Sequence, residues 1–524
     1  MTKLKLGIIG CGYLSNIIVD AYNNGLLKEY ELVGVLGRNS KSAEELSQKG
    51  KCKLCNNIDE LLELKPDYIA EAASGQAVRD YALKILSSNC NFAVLSIGAF
   101  ADEEFYNKVK SQQDQPDQGE LKVSVFTEDG TRPVENALVR ISYTGESGQT
   151  VEEVRTDSSG QTPTLELKTP PLEYSMEPVE EQPYAEYTIQ VQAEGFENTE
   201  IAGTQVLPGV VAQQSIKMAF QAEASFERLV IGPHTLFAEY PPKIEEAEIK
   251  PVNESGEIVL SRVVIPEYIV VHDGSVNDTT APDYYERYKD YIKNVASSEI
   301  YATWPDDTIR ANILAIMSFT LNRVYTEWYR NKGKDFTITS STAYDHKWIR
   351  GRNVFDSISR ITDELFENYL SRPNVRQPIL TQYCDGRRVQ CRNRGWMTQW
   401  GSKSLGDQGY SPIEILRYFY GNDMYINVAE EISGIPSSWP GYDLNIGATG
   451  EKVRQLQEQL NVIAGAYPAI PKVGEDGIYG ERTSESVRKF QNVFGLPETG
   501  ITDYPTWYKI QEIYVAVSRI AELN

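Results

Sequence analysis

Up to about residue 110 the chain alternates short apolar runs, "LKLGIIG", "ELVGVLG", "YIAEAA" and "FAVLSIG", with stretches of helical period such as "SNIIVDAYNNGLL". Runs of that length suit strands buried on both faces, and their alternation with helices predicts a parallel α/β unit. The polar, aperiodic stretch "KSQQDQPDQGE" that follows reads as a linker. From Leu121 to about Met218 the period shortens to two in "LKVSVFTEDG", "ALVRISYTG", "VEEVRTDSSGQT" and "YTIQVQAEGF". Turn residues separate these runs, which predicts a small all-β sandwich. In "PHTLFAEYPPKIEEAEIKPVNESGE" the period is lost again, and its Pro and Glu content predicts a connector that resists packing.

The run "VVIPEYIVVHDG" opens a mixed α+β domain whose clearest helix is "PDDTIRANILAIMSFTLNRVYTEWY". Ile309, Ile313, Ile316, Met317, Leu321, Val324 and Trp328 recur at helical spacing and predict one core-facing stripe. Pro305, Asp306 and Asp307 suit its first turn, where carboxylates meet the positive end of the dipole. A second linker, "SGIPSSWPGYD", leads into a helical unit from about residue 444, in which Val453, Leu456 and Leu460 form one stripe and Val487, Phe490 and Phe494 another. There is no tandem repeat. The chain thus divides into an α/β Rossmann-like segment at 1–111, an all-β sandwich at 119–220, a connector at 221–262, an α+β domain at 263–430 and a three-helix domain at 442–524.

With 524 residues, several cores are expected at roughly 150 residues per domain. A net charge of −23 repels phosphate backbones and anionic lipid, so neither nucleic acid nor membrane is an expected partner. No run approaches the roughly 18 apolar residues of a membrane span, and the first twenty residues read as strand and helix rather than an export signal. The six cysteines, Cys11, Cys52, Cys55, Cys90, Cys384 and Cys391, are too scattered for a disulfide scaffold. Cys52 and Cys55 form a single C-x-x-C, read as ordinary thiols because zinc wants about four ligands.

The stretch "LGIIGCGYLSN" has a strand, a glycine turn and a helix start, with Gly10, Gly12 and Ser15 in the positions of G-x-G-x-x-G. The second strand ends at Gly37 and Arg38, where an NAD site usually presents an acid, so the guanidinium points to the 2′-phosphate of NADP. With "EAASGQAVRDYA" and "VLSIGAFAD", residues 3 to 110 resemble the cofactor domain of aspartate dehydrogenases. The resemblance implies NADP or NAD held by Gly10, Gly12, Ser15 and Arg38. It also implies a substrate half with a catalytic histidine further on, where this chain has the β-sandwich instead.

The segment "LNIGATGEKVRQLQEQLN … DGIYGERTSESVRKFQNVFGLPETGITDYPTW" strongly resembles the three-helix peptidoglycan-binding domain of cell-wall hydrolases. The loop around Asp476, Tyr479, Gly480 and Thr483, with small residues and an aromatic, is the expected place for a glycan or stem peptide. Residues 290 to 425 resemble the catalytic domain of stage II sporulation protein D, a lytic transglycosylase, in "YIKNVASSEIYATWPDDTIRANILAIMSFT", "PILTQYCDGRRVQC" and "GWMTQWGSKSLGDQGYSPIEILRYFYG".

That resemblance implies Glu299 as the catalytic acid. The chemistry needs one carboxyl group that stays protonated near neutral pH, and burial against neighbours such as Tyr301 and Trp304 would raise its pKa. One carboxylate suffices because the sugar's own 6-hydroxyl attacks. Tyr344, Asp345, Thr398 and Gln399 are candidate substrate contacts. Two departures stand out: Asp307 replaces a second glutamate of the family pattern, and the His and Cys cluster that holds zinc in some members is reduced to His346. No metal is expected, and Cys384 and Cys391 are read as a disulfide or as buried thiols.

Taken together, residues 119 to 524 resemble a spore cortex-lytic enzyme of anaerobic spore-formers. The resemblance implies that the sandwich is a propeptide removed by an activating protease between Leu260 and Pro266, that the partner is cortex peptidoglycan, and that the place is the spore cortex or coat. No cofactor is implied for glycan cleavage. The competing readings are a non-catalytic wall-binding spore protein, an amidase that would need zinc from His234, His272 and His346, and an NAD(P)-binding dehydrogenase-like protein.

Overall fold

The apolar runs of the first hundred residues become β1 (Leu4–Ile9), β2 (Tyr30–Leu36), β3 (Lys53–Cys55), β4 (Tyr68–Glu71) and β5 (Asn91–Val94), with helices α1 (Tyr13–Asn23), α2 (Ser40–Gly50), α3 (Ile58–Leu62) and α4 (Gly75–Leu86) between them. The computed structural model describes residues 3–38, 40–88, 90–102, 105–106, 109, 117–145, 149–221, 226–250, 260, 262–433 and 439–518. The strands form an all-parallel sheet of order β3-β2-β1-β4-β5, with Ile8, Val35 and Ile69 fully buried in it. The strand order reverses beside β1, which places a crevice between the ends of β1 and β4 where open α/β sheets take ligands. This unit, Met1–Pro116, is one of two into which the chain divides.

The second unit, Asp117–Asn524, starts with the sandwich. Strands β6 (Asp117–Thr127), β7 (Leu138–Tyr143), β8 (Thr150–Arg155) and β9 (Leu165–Thr169) are followed by a one-turn helix α5 (Glu173–Met176). Then come β10 (Ala185–Gln192), β11 (Asn198–Val206), β12 (Val211–Met218) and β13 (Phe226–Val230). The period-two pattern behaves as expected: in β6 every second residue from Gly119 to Thr127 is buried. One sheet has the order β13-β11-β10-β7-β8. The other contains β12, β6 and β9 and takes an edge strand, Val354–Phe355, from the α+β region.

The connector at 221–262 does not stay unpacked. Phe226–Val230 adds a parallel strand to β11, and residues 233–250 thread across the α+β region with His234, Lys243 and Lys250 buried. Composition alone missed this because the segment's polar groups find specific partners rather than water, as when Gln382 and Gln377 hydrogen-bond its backbone at Glu246 and Lys250. Residues 251–259 and the 434–438 part of the second linker lie outside the described residues, as do 110–116 of the first.

In the α+β region, β14 (Val264–Ile265), β15 (Tyr268–His272) and β16 (Asp283–Arg287) lead into helix α6 (Tyr288–Glu299) and the long helix α7 (Asp306–Tyr325). The expected single stripe on α7 is corrected: every residue from Thr308 to Arg323 except Arg310 is buried, and Trp328 lies beyond its end. Elements pack against α7 on all sides, so its polar positions serve as internal anchors. Ser318 Oγ donates to the Ile379 carbonyl at 2.9 Å and Asn322 Nδ2 to that of Pro378 at 2.7 Å.

The last unit is three helices, α8 (Glu451–Ala466), α9 (Glu481–Val493) and α10 (Tyr504–Ser518). Their core is Val453, Leu456, Leu460, Val487, Phe490 and Trp507. Ion pairs dock it on the α+β region: Lys289 Nζ lies 2.9 Å from Glu512 Oε2 and 3.2 Å from Asp363 Oδ1. A single apolar cluster runs from Leu121 in the sandwich to Ile510 in the last helix, so the segments expected as separate domains share one core.

Candidate functional site

Helix α6 ends at Glu299, and the chain turns so that the carboxyl points inward rather than to solvent; the residue is 3% exposed. Oε1 accepts the Lys347 backbone N–H at 2.6 Å and Oε2 accepts the Tyr383 hydroxyl. Burial pushes the carboxyl above the usual glutamate range, while the Lys243 ammonium, the Tyr383 hydroxyl and the Lys347 N–H pull it partly back. The contacts that hold the carboxyl are thus Tyr383 and Lys347, not the expected Tyr301 and Trp304. Glu299 borders a small cleft lined also by Thr235, Tyr240, Lys243, Asp385 and Gln399.

Gln399, expected as a substrate contact, lines the cleft and is buried, with its Nε2 donating to the Glu299 backbone carbonyl at 2.9 Å. The other expected contacts do not line the cleft. Asp345 is fully buried, accepting from Arg323 Nε and the Tyr329 hydroxyl at 2.7 Å each and from the Thr339 N–H at 2.9 Å. It anchors the end of α7, and the cleft is lined by Thr342 rather than Tyr344. Tyr344 turns its carbonyl to Arg323 Nη2 at 3.0 Å. Thr398 is half-buried, packed under Gly386, and does not line the cleft. Asp307 is exposed in the first turn of α7.

Three features escaped sequence reasoning. Lys243, from the strap at 233–250, is buried beside Glu299 with its ammonium donating to the Asp345 carbonyl and lying 4.8 Å from the Tyr383 ring centre. Burial lowers its pKa, against the pull of Glu299 and Asp345. Asp385 is a second carboxyl on the cleft, raised by burial against the N–H groups of Arg387 and Val389. Tyr301, Trp304 and Trp400 form an aromatic wall that does not line the cleft, with Trp304 and Trp400 centred 5.1 Å apart. Helix α5 of the sandwich caps that wall, where Ser175 accepts the Trp304 indole N–H through its carbonyl at 2.9 Å. Cys384 and Cys391 are joined in a disulfide beside the cleft.

The three histidines have separate partners: His234 meets the Ile300 carbonyl, His272 the Asp283 carboxylate and His346 the Tyr291 hydroxyl. Among the described residues no group of three or more His, Cys, Asp or Glu is arranged to hold a metal. None of the described helices is long and apolar enough to cross a membrane.

In the three-helix unit the expected wall-binding loop is half corrected. Tyr479 is fully buried with its hydroxyl 3.0 Å from the Gly500 carbonyl, and Thr483 is buried with Oγ1 accepting from Gln457 at 3.2 Å. Both are packing residues. Asp476 is exposed and Gly480 half-exposed, so these remain on the surface.

In the first unit Gly10 closes the crevice turn at φ +115°, a conformation that disfavours side chains, and a Cβ there would sit 2.5 Å from the Ala72 carbonyl oxygen. Gly12 precedes α1, and a Cβ there would meet nothing within 4 Å, so its space is open to a ligand at the helix N-terminus. Ser15 is buried inside α1, as fits the helix–sheet packing role of the third motif position and not a ligand contact. Arg38 is exposed and pairs with Asp80 at 3.0 Å. The missed residue is Glu71, fully buried at the end of β4, which accepts the N–H groups of Ala73 at 2.6 Å, Ser74 at 2.7 Å and Ser96 at 3.0 Å. It fixes the turns that wall the crevice.

Residues 7–118 match the family described as "Homoserine dehydrogenase, NAD binding domain", and residues 449–510 match "Putative peptidoglycan binding domain". The L-aspartate dehydrogenase of Methanocaldococcus jannaschii is 36% identical over 107 residues, or 20% of this chain and 40% of that protein. That of Archaeoglobus fulgidus is 33% identical over 107 residues with the same coverage of 20% and 40%. The chain thus spans about 40% of the length of these relatives. Among solved structures, the WlbA dehydrogenase from Bordetella pertussis covers 40% of this chain and 83% of its own at 12% identity and a TM-score of 0.19. The chain therefore joins a segment similar to NAD-binding dehydrogenase domains to a C-terminal helical domain of the peptidoglycan-binding type.

Proposed function

We propose that residues 117–524 form a peptidoglycan-cleaving enzyme of the spore cortex, a lytic transglycosylase with Glu299 as its acid, made in an inactive form. The observation that carries this reading is the buried Glu299 carboxyl, raised by desolvation and aimed by Tyr383 and Lys347 into a cleft. A carboxyl of that kind keeps its proton further up the pH scale than a free glutamate, gives it to the glycosidic oxygen, and then accepts one from the attacking hydroxyl. The three-helix unit supports the substrate class, since a wall-binding module raises the local concentration of the polymer at the cleft.

The strap supports the inactive form. Lys243 places a cation beside Glu299 that favours the proton-poor carboxylate. A cut between Leu260 and Pro266 would separate the strap from β14 in the chain, and loss of Lys243 would leave Glu299 more strongly protonated. The test is digestion of cortex peptidoglycan by the chain before and after cutting there, with products read by mass spectrometry. Anhydro-muramic ends from the cut chain support the reading; freed peptides with intact glycan mean an amidase, and wall binding without products means a binding protein.

The Lys243 effect has its own measurement. In Lys243→Met the Glu299 carboxyl is expected to titrate at higher pH than in the wild-type chain, read as the infrared carboxyl band and assigned by its absence in Glu299→Gln. An unchanged midpoint would remove Lys243 from the account.

A second reading holds for the first unit, which is proposed to bind NADP or NAD at Gly10 and Gly12, with Arg38 toward a 2′-phosphate. The open space at Gly12 favours it. A bound nicotinamide would supply hydride chemistry; Gly10 and Gly12 would provide the cradle for its pyrophosphate. Gly12→Ala is expected to leave the thermal unfolding of the chain unchanged and to weaken NADPH binding about tenfold or more, because the methyl fills the path of the pyrophosphate. Equal affinity in a titration of NADPH fluorescence would count against the crevice.

A further inference from the structure

The loop beside the Glu299 cleft has a charge opposite to that of the chain around it. In a chain of net charge −23, residues 385–394 hold Arg387, Arg388, Arg392 and Arg394 against the single acid Asp385. The loop is not free to splay. The Cys384–Cys391 disulfide closes it, and Asp385 Oδ1 accepts the N–H groups of Arg387 at 2.6 Å and Val389 at 2.9 Å from inside. Cys384, Asp385 and Val389 line the cleft, so Arg387 and Arg388 stand at its rim.

Both guanidinium groups already meet one carboxylate. Glu180, from the sandwich segment after α5, places Oε1 3.3 Å from Arg387 Nη2 and Oε2 2.8 Å from Arg388 Nη2. Arg388 is further fixed over the Phe237 ring, 5.7 Å from its centre. The Glu180 side chain is 75% exposed, so the pair contributes little to stability. Its meaning is geometric: two arginines on a braced loop each turn one Nη2 to a different oxygen of a single carboxylate, so the pair clamps that group between two cations.

We propose that Arg387 and Arg388 form a subsite for a stem-peptide carboxylate of the wall polymer, and that Glu180 occupies it in the intact chain. This rests on the cell-wall reading above. Peptide stems project from the muramic acid residues of the glycan and end in free carboxylates, so a rim site of this kind sets which stretch of polymer enters the cleft. Glu180 competes as a tethered carboxylate, whose effective concentration a free ligand must exceed.

The test uses the intact full chain. The probe is N-acetylglucosaminyl-N-acetylmuramyl-pentapeptide, in its acid form and with its carboxylates converted to amides, titrated calorimetrically at low salt. Glu180→Gln is expected to bind the acid form about tenfold or more tighter than the amide, as charged hydrogen bonds allow, and tighter than the wild-type chain does. Adding Arg387→Gln and Arg388→Gln to that variant is expected to erase the preference. Equal binding of acid and amide, no binding of either, or a preference that survives loss of both arginines overturns the subsite. The probe contains no muramyl–glucosaminyl bond to cut, so the outcome is independent of glycan cleavage. Cortex cleavage by the chain cut between Leu260 and Pro266, with no acid preference in this titration, refutes the subsite alone; an acid preference here with no cleavage by that cut chain refutes the enzymatic reading alone.

Discussion

Glu299→Gln is expected to lower the rate of cortex glycan cleavage by about 10²–10⁴-fold in the chain cut between Leu260 and Pro266, the range that a positioned acid contributes. Glutamine keeps the shape: its one carbonyl oxygen can accept the Lys347 N–H while its NH2 donates to the Tyr383 hydroxyl oxygen, so the substitution removes the transferable proton at little cost in contacts. Stability separates the proton from the fold. A carboxyl raised above its unfolded value makes the folded state bind the proton more tightly, so that stability is fully present below the ordinary glutamate range and falls as pH rises through the raised value. The glutamine variant carries no such burden and is expected to be as stable as the wild type at low pH and more stable above it. A variant that keeps full activity would place the acid elsewhere, with Asp385 the first alternative on the cleft.

The sequence was most legible where periodicity and a short motif coincide. The parallel sheet, the glycine turn at Gly10 and the three-helix unit follow from apolar runs, a backbone that only glycine adopts, and helical stripes. Glu299 and Gln399 were singled out through the resemblance, and the structure places both on one cleft, with the Gln399 amide on the Glu299 backbone carbonyl, which fixes their place and not their role. Asp345 was misread because a carboxylate next to a tyrosine in a polar loop has the same pattern whether it faces a ligand or an internal arginine; only Arg323, in the last turn of an apolar helix, hinted at the need for a buried partner. Tyr479 was misread for a related reason, since its hydroxyl is satisfied by a backbone carbonyl distant in sequence. The strap failed most completely. Proline and glutamate content registers what a segment lacks, whereas 233–250 is held by single long-range hydrogen bonds that leave no period behind. Arg387 and Arg388 carry no period or motif, and their convergence on Glu180 depends on the fold of a segment some two hundred residues earlier.

In the chain cut between Leu260 and Pro266 and freed of the strap, Asp345→Ala is expected to cost about 3–5 kcal/mol of stability, the cost of stripping one partner from a buried ionic cluster. Its carboxylate is the meeting point of Arg323, Tyr329 and both the N–H and hydroxyl of Thr339, and the side chains of Arg323 and Asp345 are fully buried. In the intact chain Arg323 retains a second carboxylate, because Glu246 of the strap meets it at 2.9 and 2.6 Å. Cutting between Leu260 and Pro266 and releasing the strap would remove Glu246, leaving Asp345 as the carboxylate on that guanidinium. The substitution is therefore expected to be tolerated in the intact chain and to unfold the released one, since an unpaired buried arginine has no compensating charge. Urea denaturation of both forms, with and without the substitution, measures the difference. A variant whose stability is unchanged in both forms but whose glycan cleavage falls would return Asp345 to the role of substrate contact that its position in the sequence first implied.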